Sequence, residues 1–163
     1  MCCCNDCQAF VQFLRPDQTS TVLDEFGGTE IYQTSLAQVH LDKGQDLLRS
    51  MRLTPGGLLR WYTDCCRTPV GNTMSVKMPF VGVVHSFMDA DEREHKLGPV
   101  LAWVQVQHAI GEPDYPRSAQ KFPAGITLRM IRKLLAWKMR GMNRPSVFFD
   151  DNGKPVSAPT VAG

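Results

Sequence analysis

The sequence predicts a mainly β fold, antiparallel in its pairing, with a short N-terminal helix and an amphipathic C-terminal helix. Three observations carry this. Short alternating runs rich in Val, Ile, Thr and Tyr follow one another from residue 22 to residue 87, punctuated by turn residues such as Pro55-Gly56-Gly57. Connections that short favour antiparallel strands, because a parallel pair needs a crossover long enough for a helix. The best helical periodicity lies near the other end, over residues 127–142.

Each element follows from its residues. Residues 8–14 place Phe10, Val11 and Leu14 on one face, a short helix that Pro16 ends. Residues 17–20 form a loop, and Phe26-Gly27-Gly28 is a turn. Strands are expected at 30–34, 38–41, 47–53, 58–62, 68–72 and 80–87, with Lys43-Gly44 separating the second from the third. Residues 89–96 are charged and exposed, a loop or a first helical turn. Val100, Val104 and Val106 make 99–107 a strand, and 112–116 is a proline-bounded loop. In the 127–142 helix Leu128, Ile131, Leu135, Met139 and Met142 form one stripe, widened by Met130, Leu134 and Trp137. Arg129, Arg132, Lys133 and Arg140 lie off that stripe, so the helix is expected to dock on the sheet with its basic side in water. Residues 1–145 then make one globular domain and 146–163 an extended tail containing an apolar stretch at 147–149 and a turn at Asp151-Asn152-Gly153.

Length and composition bound the class. The 163 residues suit one domain with its own core, and 43% hydrophobic with 21% charged residues excludes a disordered chain. The longest apolar runs fall far short of the ~20 residues of a membrane-spanning helix. No basic start and apolar run follow Met1, so a reducing, cytoplasmic setting is expected. Net charge is only +2 but uneven: residues 1–116 carry nine Lys/Arg against fourteen Asp/Glu, and 117–145 carry eight Lys/Arg against none. A basic segment of this kind is not by itself a nucleic-acid signature; it fits a solvated helix face, and a membrane surface or nucleic acid only as lesser readings.

Cysteine placement is the sharpest chemical signal. Cys2, Cys3, Cys4 and Cys7 crowd one end, and Cys65 and Cys66 are adjacent. A disulfide framework would spread its cysteines to close loops, so this clustering points to a metal or to thiol chemistry. Cys2-x-Cys4-x-x-Cys7 can turn three thiolates toward one tetrahedral centre, and their softness favours zinc or iron over magnesium or calcium. Asn5 and Asp6 suit the intervening turn, and Cys3 would point away. The competing reading is a frayed chain end whose thiols bind nothing specific.

Cys2-Cys3-Cys4-Asn5-Asp6-Cys7-Gln8 and Arg60-Trp61-Tyr62-Thr63-Asp64-Cys65-Cys66-Arg67-Thr68-Pro69 together resemble the glutathione-dependent formaldehyde-activating enzyme and centromere protein V group. The likeness to the wider group spans about residues 2–75. The rest is similar to a bacterial branch of it, with Pro145-Ser146-Val147-Phe148-Phe149-Asp150 in the same style. The resemblance implies a zinc-bearing, β-tent-like sheet and carbon–sulfur lyase chemistry on a glutathione–aldehyde adduct. In the group, C-x-C-x-x-C holds one zinc, and an upstream C-x-C with a later C-x-x-C-G-T-P holds a structural one. Cys2, Cys4 and Cys7 match the triplet, and Cys66 matches the second cysteine of the later pair. Thr63 stands where that pair's first cysteine belongs, Arg67 replaces the glycine, and the upstream pair is not in this sequence. One zinc ion is therefore expected at Cys2, Cys4 and Cys7, while a second, structural ion lacks three of its four ligands. Either the branch dispenses with it or the chain is shortened at its start, which would leave an open sheet edge prone to self-association.

Zinc on three thiolates with an open fourth position would bind a substrate thiolate or oxygen, and its negative overall charge favours thiol exchange over hydrolysis. His40 and His85 read as structural histidines, and His95 and His108 as surface ones. Asp64 suits a turn, and Arg60 and Arg67 suit salt bridges or, less well, a glutathione carboxylate. Two other readings stand beside the lyase: a non-catalytic zinc-binding module with a basic helix for a partner, and a redox protein using Cys2–Cys7 or Cys65–Cys66.

Overall fold

In a computed structural model the chain is described throughout except at Pro16, Asp89, Pro116, Arg117 and Gly163 and at the side chains of Ala90, Asp91, Glu92 and Glu94. Helix α1 (Asn5–Leu14) is followed by strands β1 (Ile31–Thr34), β2 (Leu48–Arg52), β3 (Leu59–Thr63), β4 (Pro69–Thr73) and β5 (Val81–Val84). Helix α2 (Ala90–Leu97), the short strands β6 (Trp103–Val104) and β7 (Ser118–Ala119), helix α3 (Ala124–Met139) and strand β8 (Thr160–Val161) complete the order. The main sheet runs β1-β5-β4-β3-β2-β8, antiparallel except where β8 joins β2. The fold is thus mainly β with an antiparallel-dominated sheet, as the turn spacing predicts. Among the described residues no helix is long and apolar enough to cross a membrane.

Period-two alternation sends side chains to opposite faces of this sheet. Leu48, Leu59, Trp61, Val81 and Val83 point to one face, where Leu36, Val39, Phe148 and Phe149 cover them. Trp61 satisfies its indole N–H on the Thr73 hydroxyl at 2.8 Å and packs on Phe148 with ring centroids 5.2 Å apart. On the opposite face Met51 and Val84 receive Phe10, Val11 and Leu14 of α1. Arg60 alternates onto that same face. Its guanidinium lies 5.4 Å from the Phe10 ring and donates to Asn72 Oδ1 at 3.2 Å and to Asp6 Oδ2 at 3.1 Å. This buried cation ties the first turn of α1 to the sheet.

Several expectations are corrected. The helix starts at Asn5 rather than residue 8, because the Cys4 side chain accepts from the Cys7 amide and caps it, so Asn5 and Asp6 form its first turn. Pro16, its expected terminator, lies outside the described residues. Residues 36–38 form a 3₁₀ turn, closed by Ser35 and Gln38, in place of the strand expected at 38–41. The strand expected over 99–107 shrinks to Trp103–Val104, since Gln105 turns left-handed at φ 60°. The charged run near 90 is a helix of eight residues, with Asp89 outside the described residues. Past Pro145 the backbone runs through bends at 147–148 and a turn at 151–152 rather than one extended stretch, and Phe148 and Phe149 belong to the main core.

The largest departure concerns α3. Its expected docking stripe lies in water: Leu128, Ile131, Leu135 and Met139 are 59, 48, 57 and 89% exposed, and Trp137 is its buried residue. Ile126, Met130, Ile131 and Leu134 face an open apolar groove of about 380 Å³ that Met78 and Phe80 line from the body side. At 3.6 residues per turn its apolar arc from Ile126 round to Met139 spans about 220°. Periodicity identified the apolar side, but an arc that wide leaves open which half faces the body.

Candidate metal centre

Nothing in sequence spacing fixes how the ligand at residue 2 is held. The fold does so by pairing. Cys2 exchanges both backbone hydrogen bonds with Thr29, at 2.8 and 2.9 Å, and bridges in parallel to Val104 on its other side. Cys3 N–H donates to the Val104 carbonyl at 3.0 Å. The backbone at Cys2 is therefore bridged on both sides, to Thr29 and to Val104, rather than frayed. Gln8 adds a clamp: its side-chain amide donates to the Cys3 carbonyl at 2.9 Å and to the His108 carbonyl at 2.8 Å.

From this anchored segment the chain enters α1, with Cys4 at its cap and Cys7 one turn on. The sulfur atoms of Cys2, Cys4 and Cys7 all lie within 4.8 Å of one another, with Cys4 and Cys7 at 3.2 Å. Tetrahedral Zn–S bonds of about 2.3 Å would set sulfurs about 3.8 Å apart, so the cluster already has the spacing of a thiolate metal site to within an ångström. Cys7 is buried and Cys2 and Cys4 are half-buried, so the cluster keeps a side toward solvent.

Electrostatics concentrate charge on Cys4. Hydrogen bonding from Cys2 and then Cys7 holds its thiol well below the usual range, aided by the Cys7 amide and by Arg60. Helix N-termini favour thiolates for the same reason. Cys2 and Cys7 are raised in turn, each chiefly by its hydrogen bond to a neighbouring sulfur of the cluster. A divalent ion bound to all three sulfurs would displace the protons they carry.

The other candidates separate cleanly from this set. Cys3 is fully buried, its thiol pushed up to about 11 by burial, and takes no part. Cys66 does not join the three cysteines; it sits exposed on the β3–β4 turn, 3.0 Å from the Thr63 hydroxyl, 3.2 Å from that of Thr68 and 3.4 Å from Cys65. Arg60 is engaged by Asp6 and Asn72, and Asp64 pairs with Arg49 at 3.0 Å. His85 is half-buried and lowered by burial, its Nδ1 3.4 Å from the Glu30 carbonyl.

Sequence reasoning missed the surroundings of the cluster. Thr29 is buried beside Cys2, and its hydroxyl has no hydrogen-bond partner among the described residues. Residues directly opposite in an antiparallel pair share a face, which puts that hydroxyl on the side of the Cys2 sulfur. Asp24 accepts from the Phe26 and Gly28 amides and from Tyr115, whose ring stacks on Trp103 at 5.5 Å. These contacts brace both segments that flank Cys2, the turn before Thr29 and β6. Phe26-Gly27-Gly28 marked the turn, but Asp24, which accepts from its amides, finds Tyr115 91 residues away.

No curated protein and no solved structure matches the chain. The likeness to the glutathione-dependent formaldehyde-activating enzyme and centromere protein V group rests on the motifs alone. A family model does match, over residues 1–159, and the chain belongs to that family, DUF6151, a family of unknown function.

Proposed function

We propose that this protein binds one zinc ion through Cys2, Cys4 and Cys7 and acts on the carbon–sulfur bond of a glutathione–aldehyde type adduct. The observation that carries the metal reading is the convergence of three sulfurs within 4.8 Å on a backbone pinned from both sides. The substrate class follows the motif resemblance. Bound there, zinc supplies Lewis acidity toward a sulfur or oxygen of the substrate. Cys4, the thiol held lowest, would be the first of the three to bind, Cys2 and Cys7 would give up their protons on loading, and the Thr29 hydroxyl, without a partner among the described residues, would be a donor beside the cluster. Arg60 positions the first turn of α1 through Asp6 and leaves substrate recognition to other groups.

A second reading has its own observation. Cys2 joins the Thr29 and Val104 segments, so an ion there would staple both of them to α1 without any turnover. Elemental analysis of protein prepared without chelator, with Cys4→Ser and Cys66→Ser beside it, tests the centre. One zinc per chain is expected in the native protein and in Cys66→Ser, and none in Cys4→Ser; a folded native chain without metal would sink the reading. Turnover of S-hydroxymethylglutathione that vanishes in a still-folded Cys4→Ser supports the lyase. Unfolding of that variant, with no turnover by the native protein, supports the staple.

A further inference from the structure

The uncovered half of α3 has a composition that names its partner. Leu128, Ile131, Leu135 and Met139 line up along a 16-residue helix in an apolar row about 17 Å long, each of them 48 to 89% exposed. Arg129, Arg132, Lys133, Lys138 and Arg140 flank or back that stripe, and residues 117–145 contain no Asp or Glu. Among the described residues none of these five cations has an ion-pair partner; Lys133 only lies over the Trp137 ring at 5.7 Å. We propose that α3 is a membrane-surface element, which lays its stripe into the interface of an anionic lipid bilayer.

Two features select this occupant. Self-pairing through the stripe would bring two sets of unopposed cations together, a like-charge contact that disfavours a second copy of the chain. The stripe is also a convex, straight row along the helix axis, the geometry of a helix lying in the plane of a membrane with its apolar residues among the acyl chains. Long cationic side chains beside it reach outward to headgroup phosphates while their stems stay with the apolar surface. Trp137 is buried, and just past the helix the Met142 carbonyl accepts from the Ala37 amide at 3.1 Å, so α3 is tied to the body that it would hold at the surface. The metal reading plays no part in this inference.

Co-sedimentation with vesicles of phosphatidylcholine, alone or with about one quarter phosphatidylglycerol, tests it. The full chain is expected to partition onto the anionic vesicles at least about tenfold better than onto the neutral ones, and to weaken as salt rises from about 0.1 to 0.5 M. Leu135→Asp and, separately, Met139→Asp should each cut anionic binding by about tenfold or more. Both sites are exposed, so circular dichroism and melting should match the native chain. Absence of binding to anionic vesicles at low salt overturns the proposal and leaves the stripe to an acidic protein. Binding that ignores both substitutions overturns it as charge alone. A dimer in sedimentation velocity that Leu135→Asp dissolves overturns it in favour of a second copy.

Discussion

Two regions of this molecule hold cysteines within hydrogen-bonding distance of one another, and they have opposite surroundings. Around Cys2, Cys4 and Cys7 the backbone is paired on both sides, clamped by Gln8 and capped into a helix. Around Cys65 and Cys66 it is the five-residue connection 64–68 of the β3–β4 hairpin, with both side chains exposed and Arg67 left-handed at φ 52°. The first region converges three soft ligands and shares their protons. The second presents two thiols to solvent with Thr63 and Thr68 hydroxyls beside one of them. Cysteine chemistry is set by what the fold packs against the sulfur, since thiolate fraction and access together govern reactivity.

The largest expected effect tests access. Timed alkylation of metal-free, folded protein at pH 7.5, read by peptide mass spectrometry, should label Cys66 at least about 100-fold faster than Cys3. Cys66 is exposed and lowered to about 7 by the Thr63 and then the Thr68 hydroxyl, whereas Cys3 is buried and raised. Comparable rates would erase the distinction between the two regions.

Of intermediate size is the effect of the clamp. Gln8→Ala frees the Cys3 and His108 carbonyls from each other, so the zinc affinity measured by competition with a chromogenic chelator should fall about tenfold, as for other groups that orient metal ligands. Cys66 labelling should be unchanged. An unaltered zinc affinity would show that backbone pairing to Thr29 and Val104 is sufficient.

The smallest effect sharpens the hairpin side. Thr63→Val removes the leading hydroxyl that lowers the Cys66 thiol, so its thiolate should form only at higher pH. The alkylation midpoint, expected near 7 in the native chain, should move toward the ordinary thiol value, and the rate at pH 7 should drop several-fold. An unmoved midpoint would remove Thr63 from the account.

Most of the sheet was legible because its strands alternate and its turns are marked. The runs at 30–34, 47–53 and 80–87 contain β1, β2 and β5, those at 58–62 and 68–72 stop one residue short of the ends of β3 and β4, and Pro55-Gly56-Gly57 falls between β2 and β3. The runs that misled were those where β-branched residues outvoted the backbone. Val104 sits in a strand of only two residues, and Val39 follows a 3₁₀ turn. The Cys2, Cys4, Cys7 set was legible from spacing; Thr29, Asp24 and Tyr115 were not, since each reaches the cysteine segment through contacts remote in sequence.

The sequence by itself determined the β class, the α1 and α3 segments, the cysteine triplet and the unopposed positive charge of residues 117–145, because propensity, spacing and charge are properties of neighbours in the chain. Only the tertiary structure decided that Cys2 is held, that Cys66 stands apart from it, that Phe148 and Phe149 complete the core and that the α3 stripe stays in water. Those outcomes depend on which surfaces meet across long sequence separations. Periodicity shows that a face is apolar and leaves to packing the choice of what covers it.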